Sequence, residues 1–172
     1  MTTANNPPQT PEEIERAKKE EEKRHIDRLF KHTYGHRVRY DEIDAQGIVG
    51  NASWLNLLQM ARVEYLRSLG LLLEGGKTPV QAVVRRAALE YLAPARFDDV
   101  VIMKTRISYM GNSSARFEYL CDSMERVRYV VAETVVVCVD MARFRSTPWP
   151  AVFRERVAAF EEDGLQVGQL IK

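Results

Sequence analysis

Residues 51–69, NASWLNLLQMARVEYLRSL, decide the fold. Apolar residues recur along this stretch at helical spacing, at Trp54, Leu57, Leu58, Ala61, Tyr65 and Leu69. Leu55, Val63 and Leu66 add apolar side chains outside that stripe, and a helix that is apolar over much of its circumference is usually buried. Gly70 is a natural residue to end it. The stretch therefore predicts a long, buried helix.

The residues around this helix have the pattern of strands. Residues 80–92, 100–109, 115–122 and 127–142 are rich in β-branched and aromatic side chains. Short links separate them, which predicts an antiparallel sheet. A further strand is expected at 36–40 and a short helix at 150–160. A sheet wrapped around the long helix would bury both, so the predicted class is α+β.

The two ends of the chain differ from this middle. Residues 1–33 are predicted to be a charged extension, partly disordered or helical, because 12–32 carry acid-first charge pairs at helical spacing. A partner-binding arm is the alternative interpretation of this segment. The domain itself is expected at 34–162, and 163–172 is predicted to be a loose tail.

Charge and composition limit the function classes. The chain has 25 basic and 24 acidic residues among 172, so nothing general favours nucleic acid or an anionic membrane. Its first residues lack the apolar core of a signal peptide, and the longest apolar stretch, 127–141, is too short and polar for a membrane span. A cytoplasmic location is therefore expected. Cys121 and Cys138 are predicted to be buried, reduced thiols.

No metal site is predicted from the three histidines. His25, His32 and His36 all precede the long helix, and none is spaced for a shared site with the cysteines. We expect ordinary surface or partly buried histidines.

The loop before the helix carries the candidate chemistry. Asp44 lies in a glycine-containing loop, and free N–H groups at the following helix start favour negative charge. Such groups can hold a developing oxyanion, and the carboxylate can act as nucleophile or base. Gly47 and Gly50 are expected to allow backbone angles and close approach that a side chain would forbid. A turn or cap role for Asp44 is the alternative.

Three stretches of this sequence resemble the 4-hydroxybenzoyl-CoA thioesterase-like family. They are RYDEIDAQGIV at 39–49 with NASW at 51–54, ARVEYL at 61–66, and EYLAPARFDD at 90–99. The resemblance covers roughly residues 35–160. It implies the hot-dog fold, in which an antiparallel sheet wraps around a long central helix, and an acyl-CoA thioesterase activity with CoA as part of the substrate and no separate cofactor.

The resemblance also implies residue roles. Asp44 matches the catalytic aspartate, Asn51 supplies the backbone N–H that polarises the thioester carbonyl, and Gly47 belongs to the same loop. The family's sites lie between subunits, so a homodimer or dimer of dimers is expected. Two departures stand out: the family often has Tyr-His where this chain has Gly50-Asn51, and an acid where Gln59 stands.

Substrate-binding residues are assigned more broadly. Asn112, Ser113 and Ser114 are candidates for the pantetheine path, with a plain turn as the alternative. Arg86 is a candidate for a CoA phosphate, with a solvated strand end or an intersubunit salt bridge as the alternatives. Acyl-ligand binding without turnover is the alternative function. A hydratase is a third interpretation, disfavoured because no histidine accompanies the Asp44 motif. Residues 130–139 are expected to form an edge that pairs with another chain.

Overall fold

The computed structural model describes residues 10–72 and 80–168. The chain divides into two units, Met1–Phe30 and Lys31–Lys172. The first contains one helix, α1 (Pro11–Arg28), which begins with a capping box in which the Thr10 side chain accepts from the Glu13 N–H and the Glu13 side chain accepts from the Thr10 N–H. Two of the predicted charge pairs form along it: Lys19 with Glu15 at 2.7 Å and Arg24 with Glu20 at 3.8 Å.

The described residues of the second unit form seven strands and two α-helices. The strands are β1 (His32–Arg37), β2 (Ala82–Tyr91), β3 (Val100–Met110), β4 (Ser114–Asp122), β5 (Arg128–Asp140), β6 (Arg145–Ser146) and β7 (Gln166–Val167). The helices are α2 (Asn51–Ser68) and α3 (Ala151–Glu161). Short 3-10 turns occupy Tyr40–Glu42 and Glu162–Gly164. The long strands and the central helix match the sequence-based boundaries to within two residues, because each has a clear local hydrophobic period.

The sheet has the order β1-β3-β4-β5-β2, and all neighbours along this path are antiparallel. The predicted edge at 130–139 is wrong: β5 lies between β4 and β2, with both of its sides paired. β2 is an edge instead, since it pairs with β5 alone among the described residues. Val83 and Val84 on this edge strand are 43% and 49% exposed.

The core lies between α2 and the sheet. Helix α2 contacts β1 and β3, and its Trp54, Leu57, Leu58, Ala61 and Tyr65 are at most 2% exposed. Opposite them, the sheet contributes Val101, Met103, Ile107, Phe117 and Tyr119, none more than 1% exposed. Gly70 has φ +64° just after the helix, as expected for the residue that ends it. The predicted α+β architecture is confirmed.

The structure differs from the sequence-based expectations at both ends of this unit. β1 begins at His32 rather than at residue 36, and residues 40–42 form a turn, because the strand pairs with β3 through His32↔Thr105 to Arg37↔Val100. His32 therefore belongs to the sheet and not to the charged helix. Residues 166–167 of the expected loose tail pair in parallel with Tyr109 and Met110 of β3.

A buried carboxyl group joins three of these elements. The Tyr65 hydroxyl of α2 donates to Glu161 Oε1 at 2.5 Å, and the Ile107 N–H of β3 donates to the same oxygen at 2.7 Å. Glu161, the last residue of α3, is 2% exposed. Burial raises the pKa of this carboxyl above its ordinary 4.5, against the opposing hydrogen bonds from Tyr65 and Ile107.

This pKa shift predicts a pH dependence of stability. A raised pKa in the folded state means that the contribution of Glu161 is fully present below pH 4.5 and is lost as pH rises through the folded-state value. The free energy of unfolding of the parent should therefore fall relative to that of Glu161→Gln as pH increases, by at most about 1.4 kcal/mol per pH unit. Urea unfolding of both proteins from pH 4 to 7 measures the difference, and parallel curves would contradict it.

Candidate active site

A short loop between β1 and α2 holds the candidate catalytic residue. The bridge Ile43↔Val49 joins its two sides, and the bridge Ile48↔Arg96 joins it to the segment before β3. The Asp44 N–H donates to the Ile48 carbonyl at 2.8 Å, and the Gly47 N–H donates to the Asp44 carbonyl at 2.9 Å. Gly47 has φ +73°, a conformation that disfavours other residues, so the loop requires glycine here as predicted.

Gly50 does not need to be glycine. Its φ is −69°, and a Cβ added there would meet Asp44 Cβ, the Glu42 carbonyl and Ser53 Oγ at 3.8 Å, which is ordinary contact. The expectation that a side chain would be forbidden at Gly50 is therefore wrong. The same distances place the start of α2 directly against the side chain of Asp44.

Glu42 anchors this loop, and sequence reasoning gave it no role. Its buried carboxylate accepts from the Arg39 N–H and from His36 Nε2, each at 2.8 Å. Burial acts to raise the pKa of Glu42, but the Arg39 and His36 hydrogen bonds outweigh it and lower the pKa. Its carbonyl accepts from the Gly50 N–H at 3.0 Å. The available signal was an acidic residue close to both a histidine and an arginine in sequence.

The Asp44 carboxylate is held by its own loop but remains exposed. Oδ1 accepts from the Gln46 N–H at 2.8 Å. The Gln46 amide nitrogen, with the amide turned toward the carboxylate, lies 3.0 and 3.1 Å from the two oxygens. These donors fix the carboxylate orientation while solvent or a ligand can still reach it.

The N-terminus of α2 is free to bind an acceptor. Trp54 N–H donates to the Gly50 carbonyl at 3.0 Å, which closes the first helical turn. Within the described part of the chain, the N–H groups of Asn51, Ala52 and Ser53 donate to no oxygen, and no acidic residue lies in the first turn. Such a helix start favours negative charge.

The carboxylate and the helix start line one cavity of about 400 Å³. Its lining consists of Asp44, Ile48, Val49, Asn51, Trp54, Tyr91, Leu92, Ala93, Pro94 and Ala95. Trp54, expected to be a packing residue, is 2% exposed and also forms part of this wall. A carboxylate beside free N–H donors on an apolar wall can attack, or activate water against, a carbonyl whose oxygen the helix start stabilises.

Residues 91–95 were missed as site residues. Tyr91 ends β2 and Leu92 follows it, and their side chains are 49% and 51% exposed. They lie in the stretch 90–99 that carries the family resemblance, so that stretch was the available signal.

The other predicted binding residues lie away from Asp44 in the same chain. The turn at Asn112, Ser113 and Ser114 follows the far end of β3, whereas Ile48 pairs with Arg96 just before its start. The turn at 112–114 and the Asp44 loop are therefore separated by the length of β3. Its 11 residues span ten intervals of about 3.4 Å, or roughly 34 Å. The carbonyls of this turn accept from Trp149 N–H, Arg154 and Cys138 N–H.

Arg86 is also engaged elsewhere. It pairs with Glu133 of β5 in the same chain, whereas the alternative expected for it was an intersubunit salt bridge. Glu64 of α2 pairs with Arg67 of the same helix at 3.1 Å.

No group of three or more histidine, cysteine, aspartate or glutamate side chains suited to a metal occurs within residues 10–72 and 80–168. Cys121 and Cys138 are free and buried, and burial raises the pKa of both thiols. None of the helices in these two ranges is long and apolar enough to cross a membrane.

Comparison with known proteins gives consistent matches. The family model for the Thioesterase-like superfamily matches residues 38–157. The acyl-CoA thioester hydrolase YbgC of Escherichia coli O6:H1 is 34% identical over 131 residues, covering 73% of this chain and 92% of that protein. The acyl-CoA thioesterase YbgC of Haemophilus influenzae is 33% identical, covering 72% and 90%.

A solved structure agrees with these sequence matches. A thioesterase from Thermus thermophilus, crystallised with coenzyme A and Zn, superposes with a TM-score of 0.66 at 28% identity, covering 75% of this chain and 92% of that one. The curled antiparallel sheet around α2 is thus the hot-dog fold. The extent of the family match and the identity to the YbgC proteins together show that this chain is a thioesterase of the Thioesterase-like superfamily.

Proposed function

We propose that this protein hydrolyses acyl-CoA thioesters at the cavity that contains Asp44. One observation carries the proposal: the exposed Asp44 carboxylate lines the same cavity as Asn51, whose backbone N–H has no acceptor among the described residues. The names of the YbgC relatives, acyl-CoA thioester hydrolase and acyl-CoA thioesterase, support this substrate class.

In the proposed mechanism the start of α2 polarises the thioester. The Asn51 N–H donates to the carbonyl oxygen and stabilises the negative charge that develops there as the carbonyl carbon is attacked. Asp44 then acts in one of two ways. As a base, it takes a proton from water as the water oxygen bonds to the carbonyl carbon; the C–S bond then breaks, and the protonated Asp44 returns the proton to the leaving CoA thiolate.

As a nucleophile, Asp44 attacks the carbonyl carbon itself. The C–S bond breaks with release of the CoA thiolate, and water then hydrolyses the acyl-aspartyl anhydride to the free acid. Both routes yield the same products. Both also use the Asp44 carboxylate, whose Oδ1 accepts from the Gln46 N–H at 2.8 Å.

We also propose that the working form is a homodimer paired along β2. This strand has one unpaired side among the described residues and exposes Val83 and Val84. An unpaired apolar edge is suited to pairing with another chain, and a two-fold axis closes the assembly. Antiparallel pairing would place the Ala82 end of one copy beside the Tyr91 end of the other.

Such pairing offers a role for the distant residues. Val137 of β5 pairs with both Val83 and Ser114, so the Ala82 end of β2 and the turn at 112–114 lie at the same end of the sheet. The partner's turn would therefore approach this copy's Asp44 cavity. We propose that CoA is bound there, between the two copies.

Replacement of Asp44 tests the proposed catalytic carboxylate. Asp44→Asn should keep the fold, because the amide oxygen can still accept from the Gln46 N–H, but it should lower kcat by about 10²–10⁴-fold because an amide is a poor base and nucleophile. Thiol release from acyl-CoA substrates measures the rate, and thermal unfolding checks the fold. A folded variant with the parent rate would remove Asp44 from the mechanism.

The next prediction separates the backbone of residue 51 from its side chain. Gly50 has φ −69° and ψ 156°, the conformation that a residue before proline prefers, so Asn51→Pro should fold normally while lacking the N–H donor. Its kcat should fall by about 10²–10³-fold, as for loss of one oxyanion donor. Asn51→Ala keeps the N–H and is the matched control. Equal kcat values for the two variants would contradict the assignment.

The dimer is tested at the middle of β2. Ala87 is exposed near the centre of this strand, so Ala87→Asp would set two like charges near each other across the proposed two-fold axis and weaken assembly. Ala159→Asp, at an exposed position on α3, is the control. Light scattering and specific activity over a dilution series should show Ala87→Asp losing both mass and activity. A fully active monomer would exclude the shared site.

A further inference from the structure

A second cavity, of about 390 Å³, lies in the gap between α2 and β2, at the end of this gap away from Asp44. Its α2 side is formed by Arg62 and Leu66 and its β2 side by residues 82–84. The Asp44 cavity uses Asn51 and Trp54 of the same helix and Tyr91 of the same strand. The two cavities thus lie along one gap, about 16 Å apart along the axis of α2.

Arg62 is an unusual residue for this second cavity. The walls around it are almost entirely apolar, and no acidic side chain of the described residues is among them. Arg62 is half-buried, and its Nη1 donates to two neutral hydroxyls, Tyr119 at 3.1 Å and Thr134 at 3.5 Å. Its guanidinium carbon lies 5.9 Å from the centre of the Phe117 ring. A guanidinium has five N–H donors, so most of its donor capacity is unused by these contacts.

A second unpaired donor belongs to the same cavity. Trp149 lines it, is 4% exposed, and stacks on Phe153 with ring centroids 4.3 Å apart. The buried Trp149 Nε1–H has no acceptor among the described residues. A cation and an indole N–H on apolar walls, without a carboxylate, match a ligand with an apolar body and an anionic oxygen at its end.

We infer that Arg62 selects acyl groups that carry a carboxylate at the end distal to the thioester. This inference rests on the proposed function and adds the substrate class: dicarboxylic acyl-CoA in preference to the methyl-ended acyl-CoA of equal length. The acyl chain would lie on the apolar walls, and its terminal carboxylate would accept from Arg62. The acyl chain reaches Arg62 of the copy that holds its thioester by lying between α2 and β2. In a β2-paired dimer, it can instead reach Arg62 of the other copy.

The alternative role of Arg62 is purely structural. It joins α2 to β4 and β5 through Tyr119 and Thr134, and its loss could loosen the helix. However, the Tyr119 and Thr134 hydroxyls also bond to each other at 2.9 Å, so neither lacks a partner when Arg62 is replaced. A structural role would lower turnover of all substrates alike, whereas a selective role changes the ratio between matched substrates.

The test compares kcat/KM for matched pairs: adipoyl-CoA with hexanoyl-CoA, and dodecanedioyl-CoA with dodecanoyl-CoA. The parent should prefer the dicarboxylic member of at least one pair by about tenfold or more, the size expected for a hydrogen bond to a charged group. Arg62→Met should abolish or reverse that preference while retaining hydrolysis of the methyl-ended member. Arg62→Gln, which keeps a donor but not the charge, serves if Arg62→Met does not fold.

Arg67→Met is the matched control, because Arg67 lies on the same helix but is exposed and lines neither cavity. It should leave the ratio unchanged. A parent that hydrolyses both members equally at both lengths, or a preference that survives Arg62→Met and Arg62→Gln, would overturn this inference alone. Absence of hydrolysis of every acyl-CoA would instead overturn the proposed function.

Discussion

Burial of one face of α2 against the curled sheet is the constraint on which the rest of the structure depends. Tyr65 and Ala61 are fully buried where the helix meets β3 and β4, and Tyr65 is also bonded to Glu161 of α3. Burial of a large aromatic side chain contributes about 1.5–3 kcal/mol. With this face fixed, the start of α2 has one position, and the loop from β1 must reach it.

That loop joins the start of α2 to the exposed Asp44. Glu42 is buried and receives hydrogen bonds from His36 and Arg39, while its carbonyl binds the Gly50 N–H. These contacts satisfy the charge of Glu42 inside the protein and hold the helix start in place. The Asp44 carboxylate is oriented within the same loop by the Gln46 N–H, which donates to its Oδ1 at 2.8 Å.

The opposite side of α2 is less completely covered. The helix packs on β1 and β3, whereas β2 at the other edge of the sheet remains exposed along most of its length. The gap between α2 and β2 contains both cavities described above. One side of the central helix is covered by the sheet, and the other side is open to a ligand or a second copy. The residues that provide stability are therefore different from those available for binding.

The sequence by itself determined the main helix and strands and the conformation of the glycines that end a helix or turn a loop. The hydrophobic period of the local sequence gives the bounds of α2 and of the four long strands. The positive φ of Gly47 and Gly70 follows from the backbone freedom of glycine. Only the tertiary structure decided three other features: which strand lies at the edge, the anchoring role of Glu42, and the separation of Asp44 from residues 112–114. Each depends on pairing between residues far apart in the chain, and many pairings are compatible with the same local pattern.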